Sequence, residues 1–239
     1  MSITFYAVGG AVRDGLLGIP SKDWDYTAVM AGVDTFDEAW NGLREHLTSE
    51  GYSIFLESPQ YQTIRARFPQ GHPKSKQTAD FVLAREEGPY SDGRHPDWVR
   101  PGTLLSDLSR RDFTVNAIAQ DAETGEYIDP WGGRQDLQDG MLRAVGNAED
   151  RLTEDPLRAF RALRFLVTKD LIISGALTDA LRRNYGGMDS VSTDRIRDEV
   201  GKMFRHDVSR SIGVLSSYPR YLDIIVDRGI WFKATTEKK

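Results

Sequence analysis

The chain changes hydrophobic rhythm part-way along its length. In the first 130 residues, short strand-like runs ("ITFYAV", "WDYTAV", "YSIFL", "TIRARF" and "ADFVLA") are separated by polar or glycine-containing turns. One helical segment interrupts them. In "TFDEAWNGLREHLTSEG", Phe36, Trp40, Leu43 and Leu47 recur at helical spacing, and Gly51 supplies a stop. The first run ends in Gly9-Gly10 and opens into "AVRDGLLG", which predicts strand, tight turn and short helix. "PQGHPKSK" is a loop, and "GPYSDGRHPDWVRPG" is a second loop long enough to suggest function. From about Asp136 the rhythm is helical, through "EDPLRAFRALRFLV", "TDALRRNY", "STDRIRDEVGKMF", "SIGVLSSY" and "YLDIIVDRGIWF". There is no internal repeat. The pattern predicts an α/β head joined to an all-helical second part.

Composition narrows this picture only a little. With 239 residues, 39% hydrophobic and 28% charged, the chain suits a globular protein of one large or two small domains. Thirty-one Lys and Arg against 36 Asp and Glu leave a net charge of −5. That argues against a broadly basic nucleic-acid coat, but a local cationic patch can still meet phosphate. There is no cysteine, which excludes disulfides and thiolate metal sites. No signal peptide and no run of membrane-spanning length is visible, so a cytoplasmic protein without a membrane partner is expected.

Candidate chemistry begins in "SKDWDYTAV". Alternation along a strand puts Asp23 and Asp25 on one face and Trp24 on the other. Like charges so close repel, unless a cation lies between them. Paired carboxylates supply the hard oxygens that Mg²⁺ prefers, and such ions can activate a hydroxyl and stabilise a leaving oxygen in phosphoryl displacement. A solvated strand edge would carry the same pattern. Upstream, Gly9 and Gly10 permit close backbone approach to an anion at the following helix start, where Arg13 could fork onto phosphate or simply pair with Asp14. In "SRRDFTVNAIA", Phe113, Val115 and Ile118 can pack. Adjacent Arg110 and Arg111 are expected to face different ways, one toward phosphate or ribose and the other into a local pair. On "TIRARF", Arg65 and Arg67 share a face opposite Ile64 and Phe68.

In "EDPLRAFRALRF", Pro156 at the first helical position would make Asp155 the N-cap. Leu157, Phe160, Leu163 and Val167 then form one stripe, and Arg158 and Arg161 lie together well off it. An aspartate and arginines at one helix end can read the edge of a base. They would equally serve as a cap and two solvated cations.

Four stretches in order, "YAVGGAVRDGLLGIPSKDWDY", "RRDFTVNAIA", "IDPWGGRQDLQDGMLRAVG" and "EDPLRAFRALRF", resemble the class II tRNA nucleotidyltransferase (CCA-adding enzyme) and bacterial poly(A) polymerase family. "VSTDRIRDEVGKMF" is similar to that family's next motif. The resemblance implies an α+β fold: a polymerase β-like nucleotidyltransferase head (1–140) of mixed sheet and flanking helices, an all-helical neck (141–206) that recognises the base, and a short helical remnant of a body (207–239). It implies that Asp23 and Asp25 hold Mg²⁺ in a two-metal site, and that Asp80 acts as a third catalytic carboxylate on a neighbouring strand. Gly10, Arg13 and Arg111 would hold the nucleotide, with Asp155, Arg158 and Arg161 selecting its base. The implied reaction adds C and A from CTP and ATP to the 3′ end of tRNA, releasing pyrophosphate. Poly(A) or partial addition, and a non-catalytic nucleotide- or RNA-binding derivative, are the alternatives. Family members continue into body and tail domains. The ending "TTEKK" reads as a natural terminus, which implies a compact enzyme with a reduced tRNA grip. Trp98, Tyr90 and Arg94 in the long loop are candidates for touching an RNA end. Both a monomer and a homodimer are compatible with the sequence.

Overall fold

The computed structural model describes residues 2–21, 23–88, 97–183 and 186–230. The chain forms two compact units, 1–139 and 140–239.

The first unit is built on a seven-stranded mixed sheet. Its strands are β1 (Ser2–Val8), β2 (Asp23–Ala31), β3 (Ser53–Ser58), β4 (Thr63–Arg67) and β5 (Thr78–Leu83). Beyond the small β6 (Arg85–Glu87) and β7 (Val99–Pro101) pair come β8 (Ala119–Asp121) and β9 (Tyr127–Ile128). The order is β3-β4-β5-β2-β1-β8-β9. β2 lies at its centre, antiparallel to β1 and parallel to β5. Helices α1 (Gly9–Leu16), α2 (Phe36–Ser49), α3 (Leu104–Ser109) and α4 (Gly133–Gln138) complete the unit. The short β6 to β9 lack a run long enough to be read from the sequence alone.

The two faces of this sheet differ in chemistry. Phe5, Tyr26 and Phe81 form one aromatic layer, with Tyr26 and Phe81 stacked at 5.3 Å and Phe5 edge-on to both. Tyr52 and Phe68 extend the layer. Each such ring pair contributes roughly 1 kcal/mol beyond the area it buries. Of the four helically spaced apolar residues of α2, Leu43 and Leu47 are fully buried and Phe36 and Trp40 half-buried. Thr35 and Glu38 cap that helix reciprocally, which fixes its start. The opposite face carries Asp23, Asp25 and Thr27 on β2, with Tyr6 and Val8 on β1 beside Thr27 and Asp25. Val8 packs with Leu108 of α3 and Ala119.

The second unit is helical: α5 (Ala148–Glu154), α6 (Leu157–Thr168), α7 (Gly175–Arg183), α8 (Thr193–His206), α9 (Val208–Ser217) and α10 (Pro219–Asp227). A parallel pair of two-residue strands, β10 (Met141–Leu142) and β11 (Ile172–Ile173), was not foreseen. Leu157, Phe160, Leu163 and Val167 of α6 are buried as the spacing required, and Ala159, Ala162 and Phe165 are buried as well. The α6 stripe is therefore broad. Phe160 meets Tyr221 of α10 edge-to-face at 5.4 Å, and the Tyr221 hydroxyl donates to the Leu181 carbonyl. Among the described residues no helix is long and apolar enough to cross a membrane.

Candidate active site

Strand register assembles the acidic centre. In the parallel β2–β5 pairing Asp25 stands directly beside Asp80, and Asp23 beside Thr78. Side chains of directly paired residues share a face. The three carboxylates singled out in the sequence are thus brought to one face of the sheet. The next strand places Arg65 opposite Asp80. Arg65 grips both Asp80 oxygens, Nε to Oδ1 at 2.6 Å and Nη2 to Oδ2 at 2.5 Å.

Asp25 is open to solvent, yet enough chain surrounds it to restrict its hydration. Burial therefore raises its pKa, the charge of Asp80 raises it further, and Arg111 and Arg65 partly offset both. A centre that penalises its own negative charge favours a cation. Among the described residues no group of three or more His, Asp or Glu is placed to hold a metal ion. Asp23 and Asp25 instead form an open oxygen pair, which fits Mg²⁺, an ion that usually keeps water or phosphate oxygens in its shell.

The glycine turn lies against this centre. Gly9 has φ of +66°, in the left-handed region where a side chain is strained. A Cβ there would come within 3.5 Å of both Asp25 Oδ2 and Arg111 Nη1. Gly10 follows at the start of α1, facing Arg13. Arg13 is buried: Nε donates to Asp14 Oδ1 at 2.8 Å and Nη1 to Asn116 Oδ1 at 2.5 Å. Asn116 in turn donates to Asp112 Oδ1 at 2.9 Å, and its carbonyl accepts from Arg111 at 3.4 Å. Arg13 and Arg111 are therefore ordered through one amide residue that the sequence reading did not single out.

Arg110 and Arg111 do not diverge; both bind Asp107, on α3, one to each carboxylate oxygen at 2.5 and 2.9 Å. The i,i+3 and i,i+4 spacing makes this possible, because Asp107 sits one helical turn before both. Burial alone would raise the Asp107 pKa, but Arg111 and then Arg110 outweigh it and hold the carboxyl at about 2. Thr27 Oγ1 donates to the same carboxylate at 3.0 Å and links it to the face of β2. The signal for Asp107 was present in "SDLSRRD", in its spacing from the arginines.

In the helical unit, Asp155 Oδ1 accepts the Leu157 amide at 3.1 Å, so it performs the capping expected of it although α6 is counted from Leu157. Its other oxygen accepts from Arg195 of α8 at 3.3 Å. Arg158 donates to Glu154 at 2.9 Å and to the Arg151 carbonyl at 3.1 Å. Arg161 lies 3.8 Å from Glu199, a buried acid of α8 that also takes Arg164 at 2.5 Å. Asp155 and Arg158 thus share the start of α6, while Arg161 is tied to α8. Glu199 and Arg195 were missed, since pairing between helices leaves no local trace. Trp98 is exposed with Arg100 over its ring; Tyr90 and Arg94 lie outside the described residues.

Comparison with known proteins gives this arrangement its class. A family model described as the poly A polymerase head domain matches residues 5–143. The "Multifunctional CCA protein" of Actinobacillus pleuropneumoniae (strain L20) is 42% identical over 164 residues, 67% of this chain and 34% of its own length. The "CCA-adding enzyme" of Lactiplantibacillus plantarum is 34% identical over 227 residues, covering 93% and 51%. The crystal structure of the Bacillus stearothermophilus CCA-adding enzyme in complex with CTP superposes with a TM-score of 0.73 at 28% identity, covering 90% of this chain and 48% of that one. A tRNA nucleotidyltransferase complexed with a primer tRNA and an incoming ATP analog gives 0.70 at 28% identity, covering 93% and 58%. The mixed sheet with its acidic face is a nucleotidyltransferase head. The chain belongs to the poly A polymerase head domain family, that of the class II CCA-adding enzymes. It spans about a third to a half of the length of these curated relatives.

Proposed function

We propose that this chain carries the catalytic head and base-selecting neck of a template-independent RNA nucleotidyltransferase, which adds C and A from CTP and ATP to the 3′ end of tRNA. In this reading residues 1–140 are the head, 141–206 the neck and 207–239 the start of a helical body. The observation that carries it is the row Asp25–Asp80 across β2 and β5, with Asp23 on the same face and the glycine turn against Asp25.

In the reaction the primer 3′-hydroxyl oxygen bonds to the α-phosphorus, the bond to the β-phosphate bridging oxygen breaks, and pyrophosphate leaves. Asp80 accepts or orients the hydroxyl proton. Gly10, Arg13 and Arg111 position the triphosphate, with the Gly9 turn allowing its close approach, so that rate comes mainly from placement and charge complementarity. Asp155 and Arg158 present an acceptor and donors to the base edge, and Arg161, held near Glu199 of α8, belongs to the same site. Held by Asp23 and Asp25, Mg²⁺ would neutralise charge on the phosphates and activate the attacking oxygen, in a two-ion arrangement.

The test is extension of a tRNA transcript ending at the discriminator base, with CTP, ATP or both. Three added residues followed by a stop are expected, together with no product from an Asp23→Asn/Asp25→Asn protein that still folds. No extension of any RNA would overturn the reading. The matched model's own description favours one second reading, poly(A) addition, which a lengthening A ladder would reveal.

A further inference from the structure

The arginine pair of "TIRARF" has no place in the reaction just described, yet one of its members occupies the third carboxylate. Arg65 and Asp80 are directly paired across β4 and β5, and the guanidinium fork takes both carboxylate oxygens side-on. Such a bidentate pair is the strong form of this interaction. Its side chain is about half exposed, at 47%, so nothing packs it permanently into that pose. Its charge also reaches Asp25 and Asp23, and all three acids stabilise the protonated guanidinium, Asp80 first. Arg67, two residues on, sits opposite Thr78 in the next row and forms no comparable clasp. The contact is therefore specific to the Asp80 position rather than a general feature of the arginines on β4.

We infer that Arg65 is a displaceable counter-ion for the acidic centre: it holds Asp80 in place while no divalent cation is bound, and it competes with that cation. The inference rests on the assignment of Asp23 and Asp25 as cation ligands. Three carboxylates on one face require positive charge nearby; Arg111 supplies part of it at Asp25, and Arg65 supplies it directly at Asp80. A carboxylate whose two oxygens are both engaged is poorly placed to take a hydroxyl proton. Arrival of a cation at Asp23 and Asp25 adds a second positive charge to the same face, which repels the guanidinium and frees Asp80. Arg65 is thus a positioning residue, and it couples cation binding to release of the third carboxylate.

The test is binding of Mn²⁺ to the whole chain without nucleotide, followed by the electron paramagnetic resonance of free ion, with folding checked by circular dichroism. Arg65→Gln is expected to tighten Mn²⁺ binding roughly tenfold, the order of one charge interaction largely screened by solvent. Arg65→Lys, which keeps the charge, should stay near wild type. In an Asp80→Asn background Arg65 loses its anchor, so the further change to Gln should have little effect. Unchanged or weaker binding in Arg65→Gln, with Mn²⁺ still lost from Asp23→Asn/Asp25→Asn, would overturn the counter-ion role and leave the metal assignment standing. Wild-type binding that survives Asp23→Asn/Asp25→Asn would overturn both.

Discussion

Asp107 is 1% exposed, carries full charge, and touches no part of the sheet's acidic centre except through others. It holds Arg110, Arg111 and Thr27 together, so its loss removes the buried carboxylate that two arginines share. Asp107→Asn is expected to cost about 3 kcal/mol at pH 7, the scale for removing one partner of a buried ion pair, measured by denaturant unfolding. The pH dependence follows from its depressed pKa of about 2. A free aspartate titrates near 3.9, so the ionised group favours folding fully above about pH 4 and progressively less as pH falls toward 2. The wild type should therefore lose more stability than the Asn variant over that window. An equal loss in both would remove Asp107 as the cause. Gly9 makes a second prediction at this scale. Gly9→Ala forces a side chain into φ of +66°, at about 1–2 kcal/mol, and sets a methyl group against Asp25 and Arg111. Activity is expected to fall more than 10-fold while the melting temperature drops by only a few degrees.

Elements explain which of these residues could be read in advance. The strand run "WDYTAV" and the helix from Phe36 were legible because each has its own period, and the paired face of Asp23 and Asp25 followed from it. The place of Asp80 on a neighbouring strand came only from the family resemblance, since its pairing with Asp25 depends on a parallel register between strands separated by a helix and two further strands. The same limit hid the Arg65 clasp: alternation gave its face but not its neighbour. Asn116 was hidden differently, inside a 3₁₀ turn (Thr114–Asn116) that carries no periodic signal. That turn explains a glycine of "DPWGGRQD". A Cβ on Gly133 would stand 2.1 Å from the Thr114 carbonyl oxygen, so α4 can seat on the turn only with glycine there. Gly133→Ala should destabilise the head by 3 kcal/mol or about that, at the upper end of overpacking, and loosen Arg13 through Asn116. A wild-type unfolding midpoint would count against this packing. At the start of α6, Arg158→Ala should relax the choice between CTP and ATP by about tenfold while slowing addition less, read from single-nucleotide competition. Unchanged selectivity would remove Arg158 from base selection.

At the scale of the whole molecule, the net charge of −5 means that, under the proposed function, RNA would be met by a few local cations. A log–log salt slope of about −2 for RNA binding is expected, which corresponds to roughly three phosphate contacts on a single strand. A slope several times steeper would require a basic surface that this chain's composition does not offer. The sheet order has a temporal consequence as well. Asp25 and Asp80 belong to strands that pair in parallel only after everything from Tyr26 to Ala79 has been made and folded back, and β1 and β8 close beside β2 from still farther apart. Non-local pairings of this kind form late and slowly. On the ribosome, a nascent chain that has emerged only as far as the glycine turn and β2 has two acids and no third. The three-acid face is complete only once β5 has paired with β2 and brought Asp80 beside Asp25.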